Sequence, residues 1–173
     1  MQHSSQLWGA MRTELLQLID AAFDRIVHCA GQLTDTQLWW RPFDGANSIA
    51  NQIIHLCGNL QQWLVDGISR TVSTRDRAAE FSVTDGKSRE VLLSDLHRVL
   101  ERVRRTLDDL SPESLTTIRE IQGFSVTVLG AMFHSIPHLV GHAHQIMLMT
   151  RLQLAEQYQF HWTPDGDRSS VPL

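Results

Sequence analysis

Four separate stretches of this chain repeat their apolar residues at three- and four-residue intervals, with no clear strand alternation between them. That period belongs to helices that turn one face to a core. A first helix is expected over about 7–29, with Leu7, Met11, Leu15, Leu18, Ala22 and Ile26 inward. Thr34 followed by Gln37 fits a capping box that opens a short helical turn, and Pro42 stops that turn just after Trp39 and Trp40. Asn47 or Ser48 can cap a second helix running to about Asp66, with Ile49, Ile53, Leu56, Leu60, Trp63 and Leu64 inward and Gly67 at its end. A third is expected over about 88–110 on Val91, Leu92, Leu96, Val99, Leu100, Val103 and Leu107, closed by Ser111-Pro112. The last should span about 127–156, kinked at Pro137, which removes a backbone donor and crowds the preceding turn.

Two connections stand out. Residues 68–86 are irregular in pattern and close on an Asp85-Gly86 turn signal, and loops this long inside a domain are often functional. Between residues 115 and 126, the β-formers Ile118, Ile121, Phe124 and Val126 around Gly123 suit either a small hairpin or an irregular link. The pattern predicts an all-α fold, a four-helix bundle whose long crossover after helix two lets neighbours run parallel. One domain is expected over 1–173, with Trp162-Thr163-Pro164 packed on the bundle and a loose tail from about 164.

A net charge of −4 with scattered basic residues offers no electrostatic footprint for nucleic acid. No run approaches the ~20 apolar residues of a membrane span. The start, Gln2, His3, Ser4 and Ser5, lacks the basic flank and apolar run of a signal peptide, so no membrane partner and a cytoplasmic location are expected. The two cysteines, Cys29 and Cys57, sit in no disulfide or zinc motif and are read as buried reduced thiols.

Chemistry is concentrated in the histidines. His134, His138 and His142 form a ladder in the last helix, and His55 lies mid-way along the second. Imidazoles four apart share one helix face, and a third from a facing helix completes a site for a divalent transition metal with open positions. The competing reading is a stack of hydrogen-bonded core histidines. His134 ranks as a pocket-wall or supporting residue, being rotated from His142 and beside Pro137, while His144 points to the opposite side. His3, His28, His97 and His161 carry no assigned chemistry, and Cys57 fails the same angular test against His55. Asn51 and Asn59, four residues either side of His55, and Gln145, three after His142, could orient ligands or touch bound water. The two asparagines could equally be structural amides that span the bundle.

The blocks Asn47-Ser48-Ile49-Ala50-Asn51-Gln52-Ile53-Ile54-His55-Leu56-Cys57-Gly58-Asn59-Leu60, Arg75-Asp76-Arg77-Ala78-Ala79-Glu80-Phe81 and His138-Leu139-Val140-Gly141-His142-Ala143-His144-Gln145-Ile146 resemble the DinB-like superfamily. The likeness runs from about Leu7 to Trp162. It implies a bacterial four-helix bundle in which His55, His138 and His142 hold the metal. Relatives include metal-dependent transferases and isomerases that use low-molecular-weight thiols such as mycothiol and bacillithiol. The branch this chain most resembles has no assigned function, and a homodimer is the assembly implied. His144, where many relatives have glycine, and Pro137 depart from the pattern and bear on pocket shape.

The expected activity is therefore that of a metal-dependent enzyme, with Zn, Ni or Fe activating a small thiol or water for transfer or hydrolysis. In it, Arg70, Arg75 and Arg77 of the 68–86 segment would clamp an acidic small-molecule substrate. For these arginines the plainer reading is a solvated loop paired with Asp76 and Glu80. The alternative function is a non-catalytic metal-binding or stress-related binding protein. A third is an interaction module, given the aromatic surface of Trp8, Trp39, Trp40 and Trp63, which are also ordinary core anchors.

Overall fold

Helix α1 (Gln2–Gly31) buries Trp8, Leu15, Ile19, Ala22, Ile26 and Cys29 along one face, as a 3.6-residue turn requires. In this computed structural model, which describes residues 2–161, the stripe is shifted from the expected one: Leu7 and Leu18 are 63% and 40% exposed. The adjacent apolar pairs Leu7-Trp8 and Leu18-Ile19 permit either register. Packing selects the one that buries the Trp8 indole, whose Nε1–H donates to the Leu110 carbonyl at 3.1 Å.

The capping box of Thr34 and Gln37 opens α2 (Asp35–Trp39), and a second box of Ser48 and Asn51 opens α3 (Ile49–Leu60). Gly67 does not end this helix. The chain continues through a π-helical turn (Gln61–Asp66) into α4 (Gly67–Ser69) and stops at Arg70, in the left-handed region at φ 61°. Gly67 answers a packing need instead, since a Cβ there would sit 2.6 Å from Ile121 Cδ1. The segment expected to be irregular contains α5 (Arg77–Ser82), capped by Asp76. Ser88 caps α6 (Arg89–Asp108), which buries Leu92, Leu96, Leu100, Val103 and Leu107 and leaves Val91 exposed.

The link before the last helix is a hairpin. β1 (Ile118–Ile121) pairs antiparallel with β2 (Phe124–Thr127), Ile118 opposite Thr127 and Ile121 opposite Phe124. Gln122 and Gly123 both have positive φ, 55° and 81°, the requirement of a two-residue turn whose twist matches its strands. Thr127 then caps α7 (Val128–Leu154), one helix that carries Pro137 inside it.

The four long helices form a ring in the order α1, α7, α3, α6. α1 runs antiparallel to α6, tied by Arg12–Asp108 at 2.6 Å and Arg104–Asp20. α3 runs antiparallel to α7, so Asn59 meets Ser135, His55 meets His138, and Gln52 meets Met149. The crossover over 68–86 brings the chain back beside the start of α3, where Trp39 bonds the Lys87 carbonyl, while Arg102 reaches Gln61 at the other end. α3 and α6 are thus parallel, as are α1 and α7, whose C-terminal ends meet through His28 and Gln159. Cys29 is buried and Cys57 half-buried, and both are free thiols. Among the described residues no helix is long and apolar enough to cross a membrane. Trp162-Thr163-Pro164 and the tail beyond lie outside the described residues.

Candidate metal centre

His55 projects from the middle of α3 toward α7, where His138 and His142 stand one turn apart. Its Nε2 lies 3.0 Å from His138 Nε2. The rings meet edge-on, with centroids 5.2 Å apart for His55–His138, 5.3 Å for His55–His142 and 4.5 Å for His138–His142. One nitrogen from each falls within 4.8 Å of the others, and among the described residues this is the one such cluster of three or more ligating side chains. Ligands about 2.0–2.1 Å from a shared zinc lie closer than that to one another, so small side-chain rotations close the gap.

The donor chemistry fits a metal. Burial, then the neighbouring charges of His55, His134 and Arg75, push the His138 imidazolium down to about 4. Burial, then His138 and His55, push His142 down to about 4, opposed by a hydrogen bond that the ring donates to Gln145. Burial also lowers His55, against the pull of Glu80. At neutral pH all three are uncharged imidazoles, the form that binds metal.

Behind His55 lies a buried ion pair. Glu80 Oε2 is 2.9 Å from His55 Nδ1, and Arg75 grips the same carboxylate through Nε at 2.6 Å and Nη2 at 2.8 Å. Arg75 Nη2 also lies 3.1 Å from His55 Nδ1, and Nη1 donates to Gln62 Oε1 at 3.0 Å. Space for the pair exists because residue 58 is glycine: a Cβ there would collide with Glu80 Oε1. Asn51 and Arg41 hold the segment that delivers Glu80. Asn51 Nδ2 donates to the Glu80 and Val83 carbonyls, and Arg41 Nη2 donates to the Phe81 and Val83 carbonyls and to Asn51 Oδ1.

A family model described as "Protein of unknown function (DUF1572)" matches residues 5–167. The chain belongs to the DUF1572 family. Among solved structures, a conserved protein from Enterococcus faecalis is 17% identical, with a TM-score of 0.69, over 83% of this chain and 95% of that one. A DinB-like protein from Bacillus cereus is 16% identical, with a TM-score of 0.64, over 80% and 90%. The DUF1572 chain therefore has the DinB-like fold that its sequence resembles. No functionally curated protein matches it.

The other residues singled out in this DUF1572 chain have varied places. His134 stacks on Trp63 with centroids 3.9 Å apart and lies parallel to His138 at 6.3 Å, forming a wall toward the hairpin. Asn59 accepts from Ser135 Oγ at 3.0 Å and so bridges α3 to α7, whereas Asn51 serves the cap and the loop rather than His55. Gln145 bonds His142, and His144 turns outward to the Val140 carbonyl. Of the loop arginines, Arg70 is exposed at a helix end, and Arg77 lies over Phe81 at 5.1 Å, whose ring is 5.0 Å from His55. Arg75 is neither a solvated residue nor free for a substrate. It is buried, with its donors committed to Glu80 and Gln62.

Sequence reasoning named Glu80 only as an ion-pair partner for the loop arginines, and it missed Gln52 at the site. Gln52 sits one turn before His55 on the same helix face, and its Oε1 lies 3.1 Å from His142 Nδ1; that spacing was legible. Glu80 is carried by α5, a helix of six residues, too short to show an apolar period that would point to it.

Proposed function

We propose that the chain is a metal-dependent enzyme in which His55, His138 and His142 hold one divalent transition metal of the Zn, Ni or Fe class, and that it activates a small thiol or water for transfer or hydrolysis. The observation that carries this reading is the convergence of three neutral imidazoles from two facing helices. Three protein ligands are one short of the four that close a structural zinc site, which favours open positions for a reactant. A bound ion there would supply a strong local positive charge that lowers the pKa of a thiol or water near it.

The chain's own residues shape the rest. Arg75 neutralises Glu80, so the shell behind His55 adds no net charge to the centre. Phe81 and the Trp63–His134 stack put aromatic surface beside the imidazoles. Arg77 has no carboxylate partner among the described residues and stands at this rim over Phe81, suited to a small acidic substrate. Burial raises the Cys57 thiol to about 12 and raises Cys29 as well, so a reacting thiol would come from the substrate. A homodimer belongs to the same proposal, supported by the exposed Leu7 of α1 and Phe133, Leu148 and Leu152 of α7.

Elemental analysis of the untagged protein tests the reading. About one transition metal per chain is expected in wild type and His144→Ala, and none in His55→Ala, His138→Ala or His142→Ala. Equal metal content across all five proteins would end it. A loaded wild-type protein would then be screened for thiol transfer.

A further inference from the structure

A neutral imidazole carries one proton and offers a lone pair from only one of its nitrogens. What faces the second nitrogen therefore decides which one is bare, and in the three-histidine centre as proposed above the three rings differ. At His55, Nδ1 faces Glu80 Oε2 at 2.9 Å and Arg75 Nη2 at 3.1 Å. Arg75 Nη2 gives one hydrogen to Glu80 Oε2 and has a second that faces Nδ1, but the carboxylate is the nearer partner of Nδ1. A bare Nδ1 would turn its lone pair onto a buried carboxylate, whereas a protonated Nδ1 makes a charge-assisted hydrogen bond. Nε2 of His55 is then bare and faces His138 Nε2 at 3.0 Å, a separation that calls for a proton between them, so His138 donates it in the metal-free protein.

His142 is held from a different side. Gln52 donates Nε2–H to Met149 Sδ at 2.9 Å, which orients its amide so that Oε1 faces His142 Nδ1 at 3.1 Å. An oxygen there requires Nδ1–H and leaves Nε2 bare. Gln145 also bonds this ring, but it is exposed and its amide can turn to serve either nitrogen. His138 Nδ1 has no hydrogen-bond acceptor among the described residues.

We propose that Glu80, held by Arg75, and Gln52 are positioning residues that pre-set His55 and His142 as Nδ1–H tautomers with Nε2 bare, and that His138 is the swing ligand, which binds through Nε2 only after exchanging its proton. The exchange is charge-neutral: Nε2 gives its proton to water and Nδ1 takes one from water. Metal capture then has two stages, with His55 and His142 ready beforehand and His138 closing the site.

The direct test is long-range proton–nitrogen NMR on the full chain labelled with nitrogen-15 histidine, metal-free and near neutral pH, assigned with single His→Gln variants. Expected are Nδ1–H at His55 and His142 and Nε2–H at His138, with zinc shifting the tautomer of His138 alone. Nε2–H at His55 or His142 in the metal-free protein would overturn the proposal. A second test replaces the buried pair by apolar residues, Arg75→Met with Glu80→Met, a change that commonly preserves stability. Gln52→Met removes the other holder without touching a charge. Zinc affinity, read by competition with a chelating indicator, should fall by about 10–100-fold in each. Unchanged affinity, with any loss confined to thermal stability, would reduce these residues to structural roles and overturn the proposal. A wild-type protein that shows the expected tautomers yet binds no zinc would sink the metal-centre reading and uphold the tautomer assignment.

Discussion

Replacing Gly58 by alanine tests the core of this architecture, because α3 passes the buried Glu80–Arg75 pair at that residue. An added Cβ would collide with Glu80 Oε1 and lie 2.9 Å from Arg75 Nε and 3.0 Å from Glu80 Cδ. Two effects oppose each other. Alanine in a helix interior is favoured over glycine by about 1 kcal/mol. Overpacking costs about 1–3 kcal/mol, and separating a buried ion pair costs about 3–5 kcal/mol. The Arg75 and Glu80 side chains are only 5% and 7% exposed, so neither can swing into solvent to make room. Separation should therefore dominate, with a net loss of about 2–4 kcal/mol once the helix gain is subtracted. Gly141 supplies the control, since it lies in the interior of α7 and a Cβ there meets nothing within 4 Å. Gly141→Ala should stabilise by up to about 1 kcal/mol. Urea unfolding of the metal-free proteins, run side by side, should displace the two midpoints in opposite directions. A Gly58→Ala midpoint at or above wild type would refute the reasoning.

Acidification should destabilise the metal-free protein. His138 and His142 are held near 4 in the folded state against 6.5 for the free side chain, so below about 6.5 the unfolded chain binds more protons. Stability is full above that pH and falls as pH drops toward 4; urea midpoints that stay flat across this window would contradict the buried neutral state. Both thiols should be inert to a disulfide reagent in the native protein at mildly alkaline pH, with Cys57 raised to about 12, and reactive once the chain is denatured. Rapid stoichiometric labelling of the native protein would count against that. Trp8→Phe removes the donor to the Leu110 carbonyl and should cost about 1 kcal/mol in thermal or urea unfolding, whereas an unchanged midpoint would show that bond to be dispensable.

Much of the helical framework was legible in the sequence because its determinants are local. Thr34, Ser48, Ser88 and Thr127 each cap a helix through the backbone N–H three residues on. The buried faces of α3 and α6 follow from a 3.6-residue period, and the four-residue step from His138 to His142 places both on one face of α7. Ambiguity entered where local rules allow two answers. Leu7-Trp8 and Leu18-Ile19 fit two stripes of α1, and Gly67 reads as a helix stop although Ile121, far along the chain, is the reason for it.

By itself, then, the sequence determined the four long helices, a cap for the second at Asn47 or Ser48, and a set of histidines on the second and last. Only the tertiary structure decided what supports those histidines. Glu80 lies 25 residues from His55, in the short helix α5, and Gln52 lies 90 residues from His142. Their placement depends on Arg41 and Asn51 clamping the loop and on Met149 orienting an amide across the bundle. Such contacts come from satisfying buried polar groups among elements distant in the chain, and a helical period carries no record of them.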